Sequence, residues 1–145
     1  MATEKTNAMR VRDKKMIPYN VFTYDSQDGR IDGISVAQKI GKDPQLVYKT
    51  LVTQGKSGKV YVFVIPVESE LDLKKAAQIT GEKNVALAPM KDIEKFTGYI
   101  RGGCSPIGMI KHYPTFIDSS ACQFEHIIVS GGKIGLLIEL SVEDL

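Results

Sequence analysis

At 145 residues, 43% hydrophobic and 25% charged, the chain has the size and apolar content of one compact domain with its own core, and a second domain is not expected. No run approaches the roughly eighteen apolar residues that a membrane helix needs, and the polar opening MATEKTN lacks the apolar stretch of a secretory signal, so the expected compartment is the cytoplasm. The net charge of +2 is unevenly spread: residues 1–15 carry Lys5, Arg10, Arg12, Lys14 and Lys15 against Glu4 and Asp13, which leaves −1 for the other 130 and argues against a surface that grips long stretches of DNA.

That basic opening offers a small cationic patch able to touch a few phosphates. From charge alone, the simpler reading is a solvated, partly flexible N-terminal helix. Tyr19–Tyr24 is short, aromatic and β-branched, and reads as a strand that stops at the polar turn Asp25–Gly29. Ser35 can cap a helix through Ile40, with Gly41 closing it. Asp43 and Pro44 then restart the chain, and Val47–Thr53 runs out as a strand. Gly55–Gly58 turns into Lys59–Ile65, whose near-continuous apolar character suits a central strand buried on both faces and paired with the strand before it.

After Pro66, the spacing of Leu71, Leu73, Ala76, Ala77 and Ile79 predicts a helix ending at Gly81. A brief strand over Asn84–Leu87 and a second helix over Pro89–Phe96 follow. Gly98, Gly102, Gly103, Pro106, Gly108 and Pro114 then crowd one segment, which predicts a shaped loop of the kind that carries sites. Glu125–Ser130 and Lys133–Glu139 flank Gly131-Gly132, a hairpin signal, and Ser141–Leu145 begins a terminal helical turn. The order implies an α+β, or mixed α/β, domain around one sheet.

Conventional catalytic groups are sparse. His112 falls in a polar loop and His126 in an apolar strand, where a packed or edge histidine is the simpler reading. Neither histidine, nor Cys104 nor Cys122, belongs to a metal-binding spacing, so reduced thiols and no metal are expected. No sequence rule brings Cys104 and His112 into a nucleophilic pair. Lys49 stands in a strand whose same-face neighbours, Val47, Leu51 and Thr53, are largely apolar. Two readings stand: a lysine reaching toward a cavity or ligand, or an edge lysine that blocks aggregation. The loop Gly102–Gly108 matches no nucleotide-binding fingerprint, but its glycines can leave main-chain N–H groups free to meet a carbonyl oxygen; the alternative is a plain surface turn.

Three segments together, Lys49-Thr-Leu51, Gly98-Tyr-Ile-Arg-Gly-Gly-Cys-Ser-Pro-Ile-Gly108 and Ile128-Val-Ser-Gly-Gly-Lys-Ile-Gly135, resemble the YbaK family, relatives of the editing domain inserted in bacterial prolyl-tRNA synthetases. The likeness runs in order from about Tyr19 to Leu145. It implies a single editing domain over 1–145 with a mixed, barrel-like β-sheet flanked by helices. It also implies a cytoplasmic, metal- and cofactor-independent trans-editing hydrolase that deacylates Cys-tRNA(Pro), and Cys-tRNA(Cys) as a further substrate, at the 3′ ester.

By the same resemblance, Lys49 holds the terminal nucleotide and shares the catalytic role with the main chain of Gly102 and Gly103. Tyr24, Thr50, Ser105, Pro106 and Ser130 bind substrate. The implied chemistry is attack by the substrate's own cysteinyl thiol on its ester. An intramolecular thiolate enjoys an effective molarity on the order of 10⁵ M or more, so the protein need only orient and stabilise. Members of the Cys-specific branch often carry an acid where this chain has Leu137, which leaves open an Ala-tRNA(Pro) deacylase, one for another small amino acid, or a non-catalytic module that binds tRNA or a synthetase. The implied partners are the tRNA acceptor end and prolyl-tRNA synthetase, with neither membrane nor DNA.

Overall fold

A computed structural model describes residues 6–29, 32–100, 103–111 and 113–144. The basic opening forms helix α1 (Asn7–Lys14), capped by Thr6, whose hydroxyl accepts from the Met9 N–H. Its inner face is apolar enough to dock: Ala8 and Met9 are buried, and the Thr6 hydroxyl also donates to the Gly131 carbonyl. Strand β1 (Asn20–Thr23) follows, then α2 (Gly33–Lys39). Asp32, immediately before the helix, caps α2 in place of the expected Ser35; its carboxylate accepts from the Ser35 N–H at 3.1 Å.

A single 3₁₀ turn at Pro44–Leu46 leads into β2 (Tyr48–Gly55), which pairs antiparallel with β3 (Val60–Pro66) as expected. Helix α3 (Leu73–Thr80), strand β4 (Val85–Leu87) and helix α4 (Met90–Thr97) fall within a residue or two of their predicted spans. The described parts of the glycine-rich segment after α4 (98–100, 103–111 and 113–114) are irregular. The segment ends in a strand that the sequence did not announce, β5 (Thr115–Ile117), followed by a 3₁₀ turn at Ser119–Gln123. Strands β6 (His126–Lys133) and β7 (Leu136–Ser141) form the expected hairpin, but its turn lies at Ile134-Gly135. Gly131-Gly132 is instead a bulge inside β6, where the register slips between Ser130 and Lys133. Both Gly132 and Gly135 have positive φ, so either pair could have made the turn.

The expected single barrel-like sheet is two open sheets, one ordered β1-β7-β6 and the other β4-β2-β3-β5, with β5 parallel to β3. A lone parallel bridge between Val47 and Ile128 joins them. Both central hairpins are apolar on two faces, so the sheets pack instead of closing on one another. Tyr48 and Val64 meet Ile127, Val129, Ile138 and Leu140 in a shared core that α1 closes. On the far face of β3, Tyr61, Phe63 and Ile65 receive Ala76 and Ala77 of α3. On the far face of β6 and β7, Ile128 and Leu137 receive Val36 and Ala37 of α2. Alternate residues of β3 and β6 are therefore buried in opposite directions, which is why both read as unbroken apolar runs.

Candidate active site

The outer edge of β2 contains a gap. At its start Val47 bridges to β6, and at its end β4 pairs with Thr53–Gly55 and the Ala88 N–H donates to the Val52 carbonyl at 2.9 Å. Between these, among the described residues, Lys49–Leu51 pair only on the β3 side. The Val47 carbonyl faces β3, accepting from Val67 at 2.9 Å, whereas that of Val52 faces outward. Main-chain groups alternate along a strand, so the N–H and C=O of Thr50 point outward into the gap.

A cleft of about 420 Å³ occupies the gap, and Lys49, Thr50, Tyr24, Ser130 and Leu137 help to line it. The predicted residues Tyr24, Lys49, Thr50 and Ser130 thus come together from β1, β2 and β6. Among the described residues lining the cleft, Lys49 is the one cation and Asp32 the one carboxylate. A second recess of about 220 Å³ opens beyond Thr50, Leu51 and Cys104 and is walled by Val52, Leu87, Ala88, Met90 and Ile93. Thr50 stands at the junction, and its Oγ1 is buried without a hydrogen-bond partner. A buried hydroxyl left unpaired costs about 1–3 kcal/mol, so a ligand that completes it regains that penalty on binding.

The glycine-proline loop is placed differently from expectation. Gly102 and His112 lie outside the described residues. Gly103 is buried, and its N–H is already donated to the Ile100 carbonyl at 3.0 Å, so it is not free to meet a substrate oxygen. A Cβ on Gly103 would lie 2.7 Å from the main chain of Lys133 and Ile134, which shows how closely the loop presses on the β6-β7 turn. Ser105 is fully buried, and its Oγ accepts from the Ile107 N–H at 3.3 Å instead of lining the cleft. Pro106 faces a different groove on the far side of the loop. Among the described residues of this loop, Cys104 is the one that lines the cleft.

Burial pushes the Cys104 thiol up to about 11, with a hydrogen bond to Thr97 acting weakly the other way. It is therefore protonated at neutral pH and a poor nucleophile. Burial likewise drives the neighbouring Tyr99 phenol up to about 12, and that phenol donates to the Ile107 carbonyl at 2.7 Å, pinning the loop. Sequence reasoning missed Asp32, Val67 and Cys104 as lining residues. The first belongs to a helix cap, and the other two sit beside strands in ways that only tertiary packing decides.

A family model described as the aminoacyl-tRNA editing domain matches residues 33–145. An Enterococcus faecalis protein, provisionally named a Cys-tRNA(Pro)/Cys-tRNA(Cys) deacylase, EbsC, is 46% identical over 140 residues, covering 97% of this chain and 85% of that protein. Among solved structures, a hypothetical protein designated APE2540 superposes with a TM-score of 0.86 at 21% identity, covering 96% of this chain and 91% of the other. A provisionally assigned trans-editing enzyme for prolyl-tRNA synthetase superposes with a TM-score of 0.82 at 22% identity, covering 98% and 90%. At such identities the two structures speak to the fold alone. No helix among the described residues is long and apolar enough to cross a membrane.

Proposed function

Since the chain belongs to the aminoacyl-tRNA editing domain family, we propose that it deacylates mischarged tRNA in trans, at the ester joining a wrong amino acid to the 3′ adenosine. The substrates are Cys-tRNA(Pro) and Cys-tRNA(Cys), as in the name of the 46% identical relative. The observation that carries this reading is the gap in β2, where Lys49 and the outward main chain and unpaired hydroxyl of Thr50 meet Tyr24 and Ser130 in one cleft.

In this reading the cleft takes the terminal nucleotide, with Lys49 against its phosphate, and the recess beyond Thr50 takes the acyl side chain. The Thr50 N–H, preorganised on the strand edge, replaces Gly103 as the donor to the carbonyl oxygen as it gains charge. The described lining residues offer no activated nucleophile, because Cys104 is protonated. The substrate supplies one instead. Its thiol loses a proton, the sulfur bonds to the ester carbon, and the bond from that carbon to the 3′ oxygen breaks. The 3′ oxygen takes up a proton, and cysteine leaves as a thiolactone that water later opens. Prolyl-tRNA synthetase is the partner that would supply the correct tRNA by raising its local concentration.

Leu137 lines the cleft at 7% exposure, in place of an acid, and favours a second reading in which water removes alanine or another small residue. A panel of aminoacyl-tRNAs decides between them. We expect rapid loss of the cysteinyl ester, abolished in Lys49→Ala and largely retained in Cys104→Ala. An inactive but folded Cys104→Ala would overturn the substrate-thiol scheme. Alanyl ester cleavage alone would establish the second reading, and unchanged half-lives across the panel would leave a binding module.

A further inference from the structure

On the far side of the glycine-proline loop from the cleft lies a larger groove, about 640 Å³, between α1 and the stretches 106–111 and 113–117. Among its described lining residues five are cations, Arg10, Arg12, Lys14, Lys15 and Lys111, and none is a carboxylate. We propose that this groove binds the phosphodiester backbone of the RNA helix that continues from the aminoacylated end held in the cleft. This inference rests on the deacylase reading above and adds to it a second site of attachment for the tRNA.

The bland alternative is a solvated helix face, and the packing argues against it. The charges converge from two segments almost a hundred residues apart, on a floor that includes Val11, Ile107 and Met109. Helix α1 is held in place by the buried Ala8 and Met9, and Gly108 approaches its main chain so closely that a Cβ would sit 3.1 Å from the Asn7 carbonyl carbon. Arg10, Lys14, Lys15 and Lys111 are exposed, and none has a salt-bridged carboxylate among the described residues. Four such cations on one concave surface repel each other, and a polyanion relieves that repulsion.

Their spread along an open groove, with heads in solvent, suits a chain of phosphates better than one tightly held phosphate. A concave channel also suits a nucleic-acid strand better than a flat bilayer. Position links the groove to the site: Cys104 lines the cleft and Pro106 the groove, so the two are separated by a stretch of chain of about 7 Å at most. A strand whose 3′ end enters the cleft therefore needs only to pass over the loop to reach the cations.

The test uses the full chain and the variant Arg10→Gln/Lys14→Gln/Lys15→Gln/Lys111→Gln, with Lys74→Gln/Lys75→Gln on α3 as a control remote from both cavities. Binding of an uncharged acceptor-stem minihelix is followed against KCl concentration. Deacylation is measured on a cysteinylated minihelix and on a cysteinylated CCA trinucleotide. We expect the variant to bind the minihelix at least about tenfold more weakly, with the log–log salt slope shallower by about 0.7–0.9 for each phosphate that the removed cations had neutralised. Its KM for the minihelix rises accordingly, while kcat, trinucleotide hydrolysis and the control stay as in the parent.

Equal binding and salt slope in variant and parent would overturn the proposal. So would an equal loss on both esters, which would place the residues in support of the cleft. Charge-dependent binding to phosphatidylserine vesicles with none to the minihelix would overturn it in favour of a membrane. A parent inactive on both esters, whose minihelix affinity still falls in the variant, would sink the deacylase reading and leave the groove standing.

Discussion

Replacing Gly103 by alanine tests whether the loop is held by shape. Its φ is not in the left-handed region, so alanine meets no backbone penalty there, and the whole effect must come from crowding. The new Cβ would lie 2.7 Å from the Lys133 Cα and carbonyl carbon and from the Ile134 nitrogen, about 0.7 Å inside the 3.4 Å at which ordinary contact begins. All three are main-chain atoms of the β6-β7 turn, which no rotamer change can move. Overpacking of this sort costs about 1–3 kcal/mol. For a domain of this size that corresponds to a melting temperature lower by about 3–12 °C.

The strain relaxes by moving the loop, and the next residue is Cys104, at the junction of the two cavities of the site. A misplacement approaching 1 Å near reacting atoms costs about 10²-fold in rate, so kcat/KM on Cys-tRNA should fall by about tenfold or more even at temperatures where the variant is fully folded. Thermal melts followed by circular dichroism and a deacylation time course at about 20 °C supply the two numbers. Parental values for both would refute the steric reasoning. A lowered melting temperature with unchanged kcat/KM would show that loop position does not reach the site.

Thr50→Val removes the unpartnered buried hydroxyl, so the melting temperature should hold or rise by a few degrees while deacylation falls; a marked loss of stability would mean that the hydroxyl is satisfied in the free protein. In the folded chain a disulfide-exchange reagent should titrate one thiol, the exposed Cys122, and a second only in denaturant, when Cys104 emerges. Cys104 and Tyr99 both have folded pKa values raised by burial, from 9.0 to about 11 and from 10.0 to about 12. Their contribution to stability is therefore complete below about pH 9 and is lost as the pH rises through 11 to 12, which an alkaline melting series will show as a decline steeper in the parent than in a Cys104→Ala/Tyr99→Phe variant. Tyr99→Phe alone should cost about 1–3 kcal/mol at neutral pH, because it leaves the buried Ile107 carbonyl without its donor.

Most elements were legible in the sequence because their signals are local. The apolar runs of β3 and β6, the Asp43-Pro44 restart and the apolar spacing of α3 each depend on a few neighbouring residues. Strand β5 escaped because three residues have no measurable period; what makes it a strand is its ladder to Val62–Val64, some fifty positions earlier. The hairpin turn was displaced by a few residues because Gly131-Gly132 and Ile134-Gly135 are locally equivalent, and the choice depends on the packing of Gly131 against Leu136 and Ile138.

The cleft was partly legible. Lys49 betrays itself as a cation amid apolar neighbours, and the resemblance names Tyr24, Thr50 and Ser130. The orientation of the Gly103 N–H, the burial of Ser105 and the facing of Pro106 are properties of a folded loop, and no spacing rule encodes them.

The gap in β2 bears on how such a protein can drift. A carbonyl or amide of the main chain persists through every substitution, so a ligand gripped by a strand margin cannot lose that hold by point mutation short of a proline. On the proposed reading the acyl group, by contrast, is gated by side chains of the recess such as Met90, Ile93 and Cys104, each replaceable without disturbing the margin. On that reading, selectivity among amino acids can be retuned in single steps while the main-chain hold on the ester stays in place.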